Sequence, residues 1–406
     1  MSNTLCPNAA SALHVPHPVT GMRQAAAAVT AVFMLSNSPT PLYVVWQRSL
    51  GFSSGTLTVI FALYIASLLA TLLVAGQLSD RYGRKPVLIP GLLAALVACV
   101  LFATATSVAA LAVARLLTGV AVGVIVSAGM ASVGDLGGPD RKREAALQAS
   151  VAMVLGAGLG PLLAGAAAQA LSHPVLPIFG IEFLVLLAAL LIVVRLPLHR
   201  PPPGTTTRRL RLPAVPAQNR GHVATGIGVF GPGITATSFV LALGPSLLAR
   251  LLDVRSPLLA GGMACAMFLT ATGVQFAVRQ WSVRKIFAAG SAATVLSMAA
   301  LGIAVHAASA PVLIVAALLA GAGQGLGQLG GLTLISVHVP ATRRAEANAV
   351  MNLGGYLPAG LLPVLAGFAI DAAGFAAGAT LFAGVLALVA VACGAAVLRA
   401  VGRATA

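Results

Sequence analysis

The sequence predicts an all-α integral membrane protein with twelve transmembrane helices. Hydrophobic residues make up 59% of the 406 residues, and only 8% are Asp, Glu, Lys or Arg, which is too little charge for the surface of a water-soluble chain. Apolar stretches of about 20 residues, long enough to cross roughly 30 Å of hydrocarbon as a helix, recur along almost the whole sequence. The alternating segments of about 10 residues that form a transmembrane barrel are not seen.

The apolar stretches fall into two sets of six. We expect spans near residues 22–46, 55–76, 86–106, 108–131, 145–170, 174–194, 222–250, 258–279, 285–306, 310–337, 344–370 and 375–400. Between the sets, the prolines and arginines of residues 195–221 oppose both a packed helix and entry into hydrocarbon. The expected order is therefore an N-terminal tail (1–21), a six-helix bundle (22–194), a cytoplasmic linker (195–221), a second bundle (222–400) and a C-terminal tail (401–406).

The two sets of spans carry an internal repeat. Residues 139–165 resemble residues 340–367, and GRKPVL, starting at position 83, pairs with VRKIFA, starting at position 283. Some transporters use a parallel repeat of six helices to place a substrate path between two halves. The sequence therefore predicts two pseudo-symmetric six-helix bundles.

Basic residues mark one face of the membrane. The formal net charge is +16, and twelve spans place most of the 24 Lys and Arg residues on the side of both termini. The opposite side receives Arg48, Arg250 and Arg255, and Arg115 lies within a span. The positive-inside rule therefore predicts cytoplasmic termini, and the charge reflects topology rather than binding of nucleic acid. High Ala, Gly and Arg contents are typical of a GC-rich bacterium, which favours the inner membrane.

The loop after the second span carries a concentrated motif. AGQLSDRYGRKPVLIPG, residues 75–91, follows the pattern G-x-L-x-D-R-x-G-R-K, with Gly76, Leu78, Asp80, Arg81, Gly83, Arg84 and Lys85. This pattern resembles the loop signature of the major facilitator superfamily. Gly76 would let another helix approach closely, and Gly83 would permit a tight turn. The basic side chains would face water and lipid phosphates.

Asp80 is the member of this motif that positive-inside topology does not explain. It lies at the C-terminal end of its own helix, where the helix dipole disfavours a carboxylate. We therefore expect it to dock on the N-terminus of the eleventh span, near Ala345. With Arg84 and Asp135 it would form a latch that holds the cytoplasmic side shut, as the resemblance also implies.

The fourth span contains a charge. Arg115, in LAVARLLTGVAVG, lies about two turns into the span, where a guanidinium costs several kcal/mol unless it is paired or hydrated. With Gly119 it resembles the fourth-span motif of the superfamily, which implies a role in proton transfer. The alternative is that its side chain extends towards the outer surface.

The fifth span contains a glycine-rich motif. GAGLGPLLAG supplies Gly156, Gly160, Pro161 and Gly165. It resembles the superfamily's antiporter motif G-x-x-x-G-P-x-x-G-G, with Ala164 at the penultimate glycine. The glycines create a flat face for helix contact, and the proline bends the helix. The resemblance implies export; the alternative is small-residue packing without a functional role.

Polar side chains within the spans are candidates for lining a substrate cavity. Pro39 and Pro41, in MLSNSPTPLYVVWQ, free backbone carbonyls that need neighbours or a watery cavity, and the pair resembles the first-span motif of twelve-span drug exporters. A structural kink and bonds between helices are the alternatives. The cavity candidates are Asn37, Thr40, Tyr43, Gln324, Gln328, Asn352 and Tyr356.

The source of energy is expected to be a proton gradient, with no other cofactor. The nucleotide-binding pattern G-x-x-x-x-G-K-[ST] does not occur, and a secondary transporter needs a titratable group in its path. Of the eight acidic residues, Glu182 is the one expected within the membrane, a turn or so into the sixth span. Arg115 and Glu182 are therefore the proton-coupling candidates; alternatively, Glu182 lies at the interface and reaches the outer water.

The sequence thus predicts a secondary transporter that exports small organic molecules, drug-like or metabolite, in exchange for protons by alternating access. It resembles the twelve-span drug:proton antiporter branch of the superfamily and is expected to act as a monomer surrounded by membrane lipid. The alternative is a permease for a sugar or another metabolite. An enzyme is not expected, because the seven His residues are scattered and no H-E-x-x-H motif, carboxylate dyad or metal-binding spacing occurs.

Overall fold

The computed structural model describes residues 19–198, 213–250, 253, 256–340 and 343–404. In this part of the chain twelve helices are long and apolar enough to cross a membrane, which confirms the predicted fold class. They are numbered as spans in chain order. Their bounds are Thr20–Leu50, Ser54–Tyr82, Lys85–Ala103, Val108–Gly137, Lys142–Ala170, Val175–Arg195, Ala217–Arg250, Pro257–Ala277, Val283–His306, Ala310–His338, Arg344–Ala373 and Phe375–Val401.

The observed bounds differ most from the expected ones around the predicted linker. A 3-10 turn at Ala217–Asn219 leads into the seventh span, so the last residues assigned to the linker are helical. The middle of the linker, 199–212, and the ends of both predicted tails, 1–18 and 405–406, lie outside the described residues.

Serine and glycine residues fix several helix ends. The side chains of Ser53, Ser107 and Ser256 each accept a hydrogen bond from the backbone N–H three residues later, which satisfies an N–H that has no partner within the helix. The second span ends at Gly83, with φ 94°, and the eleventh ends at Gly374, with φ 88°. Glycine adopts these left-handed angles without a steric penalty.

The backbone hydrogen-bond ladder of the first span is interrupted near its middle, at a point that we call the break, although Ser38 itself keeps helical angles (φ −56°, ψ −34°). One helix runs Val19–Asn37 and the next runs Pro39–Leu50, with Ser38 between them. Because Pro39 and Pro41 have no N–H, two carbonyl groups of the preceding turn lose their helical donors. The break therefore exposes backbone and hydroxyl groups to the neighbouring helices of the N-terminal half.

The two halves contact each other most extensively through the fifth and eighth spans and through the second and eleventh spans. The first span also contacts the seventh and eighth, and the second also contacts the seventh. Glycines allow the backbones to approach closely, as in other membrane helix pairs. A Cβ atom at Gly261 would overlap the carbonyl of Pro161, and one at Gly165 would overlap the carbonyl of Pro257.

The described chain begins and ends on one face of the molecule, the termini face, and the opposite side is the far face. At the far face the halves are joined by hydrogen bonds, including one from the Ser246 hydroxyl to Gln47 Oε1 at 2.9 Å. At the termini face, the ends of the second and eleventh spans are exposed, with Asp80 69% exposed and Ala345 also exposed. The structure is therefore closed at the far face.

Candidate functional site

Arg115 lies in a closed aromatic pocket of the N-terminal half. Its guanidinium is fully buried, donates to the Ser36 carbonyl at 2.7 Å and donates through Nε to the Tyr43 hydroxyl. It also lies 5.1 to 5.8 Å from the ring centres of Tyr43, Phe61, Tyr64 and Phe102, so cation–π attraction offsets part of the lost hydration. The alternative of a side chain that extends to the surface is therefore wrong in this conformation.

Glu182 is also buried in the N-terminal half. Its side chain is 5% exposed, so in this conformation it does not act as an interfacial residue that reaches water. Its Oε1 accepts a hydrogen bond from the Ser38 hydroxyl, and its Oε2 has no partner. Both Glu182 and Arg115 are the eighth residues of their helices, about 10 Å from the far-face end.

The break in the first span connects these two charged residues. Arg115 binds the Ser36 carbonyl on one side of the break, and Glu182 binds the Ser38 hydroxyl two residues later. The rings of Trp46, Phe102 and Phe179 stack beside the break, with centres 5.1 to 6.0 Å apart. The structure therefore brings both proton-coupling candidates onto the segment of the first span where the helical hydrogen-bond ladder is interrupted.

Asp80, Arg84 and Asp135, the three residues of the predicted loop latch, contact one another within the N-terminal half. Arg84 donates from Nε to Asp135 at 2.9 Å and from NH1 to Asp80 at 2.9 Å and to Ser79 Oγ at 2.8 Å. Burial alone would lower the pKa of the Arg84 guanidinium, but the hydrogen bond and charge of Asp135, and then those of Asp80, raise it above its usual value. The group is thus a cation held between two carboxylates.

The docking of Asp80 on the eleventh span stays a prediction, because its carboxylate is largely exposed here and its described partner is Arg84. The first turn of the eleventh span already contains a carboxylate, Glu346, which accepts from Arg343 at 2.7 Å and from the Ala214 N–H at 3.1 Å. A docked Asp80 would therefore approach a helix end whose dipole is partly compensated.

The remaining residues of the loop motif have separate positions. Lys85 donates to the Val194 carbonyl at 2.7 Å, at the C-terminal end of the sixth span, where a cation is favoured by the helix dipole. Arg81 is exposed and lies over the Tyr82 ring. Gly83 forms the expected turn, whereas a Cβ at Gly76 would meet open space, so the close approach expected there does not occur in this conformation.

The fifth-span motif contacts both halves of the molecule. A Cβ at Gly156 would overlap the Thr30 carbonyl, and one at Gly160 would overlap the Met34 carbonyl, both in the first span. Pro161 and Gly165 occupy the adjacent face of the helix and meet the eighth span. The motif therefore joins the first span, just before its break, to the opposite half.

The cavity candidates divide into two groups. Thr40 and Tyr43 are buried inside the N-terminal half, and Tyr43 is engaged by Arg115. Tyr356 is half-buried, and its ring centre lies 6.1 Å from that of Phe230. The other half-buried candidates are Asn37, Gln324, Gln328 and Asn352.

Ser38 and Asp371 are functional candidates that the sequence reasoning missed. Ser38 stood next to the recognised Pro-x-Pro pair, but its contact with Glu182 joins residues 144 positions apart. Asp371 lies in the last turn of the eleventh span and binds the N-terminus of the second span. The helix-dipole argument applied to Asp80 would have identified it. In the described residues, no cluster of His, Cys, Asp or Glu could hold a metal ion.

Similar proteins are transporters. Over 97 residues this chain is 34% identical to a Klebsiella pneumoniae (strain 342) protein named multidrug resistance protein MdtL. The aligned residues cover 23% of this chain and 25% of that relative. A crystal structure of nucleoside transporter NupG aligns with a TM-score of 0.72 at 13% identity, over 93% of this chain and 99% of that one.

A bacterial homologue of the human lysosomal transporter Spinster, crystallised in an inward-facing and unoccupied conformation, also aligns with a TM-score of 0.72 at 13% identity. The alignment covers 95% of this chain and 97% of that one. At these identities the two structures establish the fold. The sequence model of the Major Facilitator Superfamily matches residues 25–282, more than half of the chain. Together with the twelve spans and the loop motif, this match places the chain in the Major Facilitator Superfamily.

Proposed function

We propose that this protein is a secondary transporter that exports a small organic molecule in exchange for protons by alternating access. The observation that carries the proposal is the buried carboxyl of Glu182, bound by the Ser38 hydroxyl at the break of the first span. A carboxyl group in the membrane interior is costly when ionised. Its attachment to a segment that lacks two helical hydrogen bonds gives proton binding a route to helix movement.

The Ser38 hydroxyl links the proton to the backbone. It lies within hydrogen-bonding distance of both Glu182 Oε1 and the Met34 carbonyl, the latter at 2.9 Å, but it has one proton to donate. With Glu182 ionised, the charge-assisted bond to the carboxylate is favoured. With Glu182 protonated, the carboxyl donates to Ser38 Oγ and the hydroxyl turns to Met34. Proton binding thereby changes the bonds that hold the break.

Arg115 has a positioning role in this proposal. Its guanidinium is enclosed by protein, so in this conformation it is a fixed cation that holds the Ser36 carbonyl and the Tyr43 ring. Glu182 accepts from the Ser38 hydroxyl, two residues after Ser36. Arg115 and Glu182 therefore bind neighbouring residues of the same segment of the first span.

Export of a drug-like substrate is supported by the local similarity to the multidrug resistance protein and by the resemblance of the fifth-span sequence GAGLGPLLAG to the superfamily's antiporter motif. The distribution of basic residues supports cytoplasmic termini and a bacterial inner membrane. The far face then points away from the cytoplasm, and the structure is closed on that side. We propose that the monomer, surrounded by lipid, is the transporting unit, because both halves that would enclose the substrate path belong to one chain.

A permease for a sugar, nucleoside or other polar metabolite is the second candidate. The half-buried amides of Gln324, Gln328 and Asn352 favour it, because amide groups both donate and accept hydrogen bonds from hydroxyl-rich ligands. One structural neighbour is a nucleoside transporter.

A substrate screen followed by reconstitution tests the proposal. Expression in an exporter-deficient bacterial host identifies compounds whose toxicity falls, and the purified protein in proteoliposomes is then assayed with that compound under an imposed pH gradient. We expect Glu182→Gln, which mimics the neutral carboxyl, to reduce gradient-driven transport by at least about tenfold and to retain binding.

The matched control is Glu144→Gln, which removes the same charge from an exposed position where the partner is Gln148. It should leave transport unchanged. Gradient-driven transport at the wild-type rate in Glu182→Gln would eliminate Glu182 as the coupling site. Uptake down the proton gradient, rather than exchange against it, would favour the permease.

A further inference from the structure

A carboxylate joins the two halves at the far face. Asp371, in the last turn of the eleventh span, accepts hydrogen bonds from the backbone N–H groups of Ser54 at 2.9 Å and Gly55 at 2.7 Å. These are the first two residues of the helix that forms the second span, and N–H groups at this position have no partner within the helix. The carboxylate thus binds the positive end of a helix dipole in the opposite half.

Close packing surrounds this contact. A Cβ atom at Gly55 would lie 2.7 Å from both Asp371 Oδ2 and the Phe368 ring, and one at Gly367 would overlap the Thr58 hydroxyl. Further into the membrane, Gly360 faces Ile65 at ordinary van der Waals distance. The second and eleventh spans therefore close on each other from the far face to the middle of the helices.

The second and eleventh spans also have an acidic residue at the termini face, Asp80. Asp80 lies near the C-terminal end of the second span, as Asp371 lies near the C-terminal end of the eleventh. The two spans run in opposite directions, so each carboxylate lies at the same face of the molecule as the N-terminus of the other helix. In this structure the far-face contact is formed, and the termini-face carboxylate is exposed.

We infer that Asp371 is a far-face latch: its bond to the N-terminus of the second span stabilises the conformation closed at the far face, and it must break when that face opens. The inference rests on the proposed alternating access. It adds that Asp371 stabilises the conformation closed at the far face relative to the conformation closed at the termini face. A rocking movement of the halves separates one end of a helix pair while it closes the other, so the contacts of Asp371 and Asp80 alternate.

Distance measurements on the full-length protein in lipid nanodiscs test the latch without a substrate. The four cysteines are replaced by serine, and spin labels are placed at exposed positions in opposite halves, as Ser49→Cys with Ala307→Cys at the far face or Ala146→Cys with Gln280→Cys at the termini face. We expect Asp371→Asn to raise the ratio of far-face-open to far-face-closed molecules about two- to tenfold. The far-face distance lengthens and the termini-face distance shortens.

A second variant removes the donor instead of the carboxylate. Ser54→Pro deletes one of the two N–H groups at a first-turn position where proline is tolerated, and Ser53 already has the extended backbone that precedes proline, with ψ 171°. It should shift the ratio in the same direction. Asp371→Glu should recover part of the wild-type ratio, and Glu144→Gln, which loses a charge within one half, should leave it unchanged.

An unchanged ratio in both Asp371→Asn and Ser54→Pro, with thermal unfolding of the purified proteins at the wild-type temperature, would overturn the latch. A shifted ratio in a protein whose transport does not respond to a pH gradient would keep the latch and overturn the proposed proton exchange. The Asp371 latch and the proposed proton exchange can therefore be refuted independently.

Discussion

The chemistry of the candidate site depends on a small number of buried groups near the break of the first span. Arg115 is held by a carbonyl, a hydroxyl and four aromatic rings, whereas Glu182 has a single described hydrogen-bond partner, Ser38. The unbonded Oε2 of Glu182 leaves one carboxyl oxygen without a protein partner, so this oxygen can carry the proton. In the proposed function, Ser38 is the group that would convert proton binding into a structural change.

Replacing Ser38 tests this role. In Ser38→Ala the ionised Glu182 loses the hydroxyl that donates to it, so we expect the pH midpoint of the conformational equilibrium to move upwards by about one unit, the equivalent of one hydrogen bond to a charged group. The measurement is the far-face spin-label distance as a function of pH.

The control is Ser36→Ala, which removes an equally buried hydroxyl that donates to the Phe33 carbonyl. Its midpoint should remain within experimental error of the wild type. Identical midpoints for Ser38→Ala and the wild type would show that the hydroxyl does not transmit the protonation state of Glu182.

At the scale of helices, glycines determine which spans can move against each other. The fifth span uses Gly156 and Gly160 to pack on the first span, and uses Pro161 and Gly165 to pack on the eighth. Both pairs have a spacing of four residues, which places each pair on one side of a helix. A movement of the eighth span would therefore be transmitted through the fifth span to the helix that precedes the break in the first span.

Adjacent glycines of the eighth span provide a matched pair of variants. A Cβ at Gly261 would overlap the Pro161 carbonyl, whereas one at Gly262 would meet open space. We expect Gly261→Ala to weaken the contact between the fifth and eighth spans and to expose Cys265, which is 9% exposed and faces Gly158. With Cys265 as the single cysteine, maleimide labelling should accelerate about tenfold, the effect of about 1.4 kcal/mol.

Gly262→Ala should label at the wild-type rate. Equal labelling of the two variants would mean that the close contact at Gly261 does not restrain the far face.

At the scale of the whole molecule, the two halves are linked by different contacts at their two faces. The far face is held by Asp371 and by the Gln47–Ser246 hydrogen bond, and the termini face exposes the Asp80, Arg84 and Asp135 cluster. Alternating access requires that the free energies of the two closed faces be similar, since each state must be reached during a cycle.

Replacing Asp80 tests the contact proposed for the termini face, as replacing Asp371 tests the contact at the far face. If Asp80 docks on the eleventh span when the termini face closes, Asp80→Asn weakens that state alone and shifts the population towards the conformation seen here. The expected result is about a two- to tenfold change with a longer termini-face distance, opposite in sign to Asp371→Asn. Equal distances in Asp80→Asn and the wild type would contradict the docking and leave the cluster a local support of the loop.

The sequence by itself determined the twelve spans, because the length and hydrophobicity of each helix are local properties set by the bilayer. It also identified Arg115, Glu182 and the loop cluster, since charges are rare and therefore conspicuous in apolar spans. Tertiary structure alone decided which groups meet. The Ser38–Glu182 and Asp371–Ser54 contacts join residues far apart in the chain, and such pairings arise from the packing of helices, which the hydropathy of a single helix does not encode.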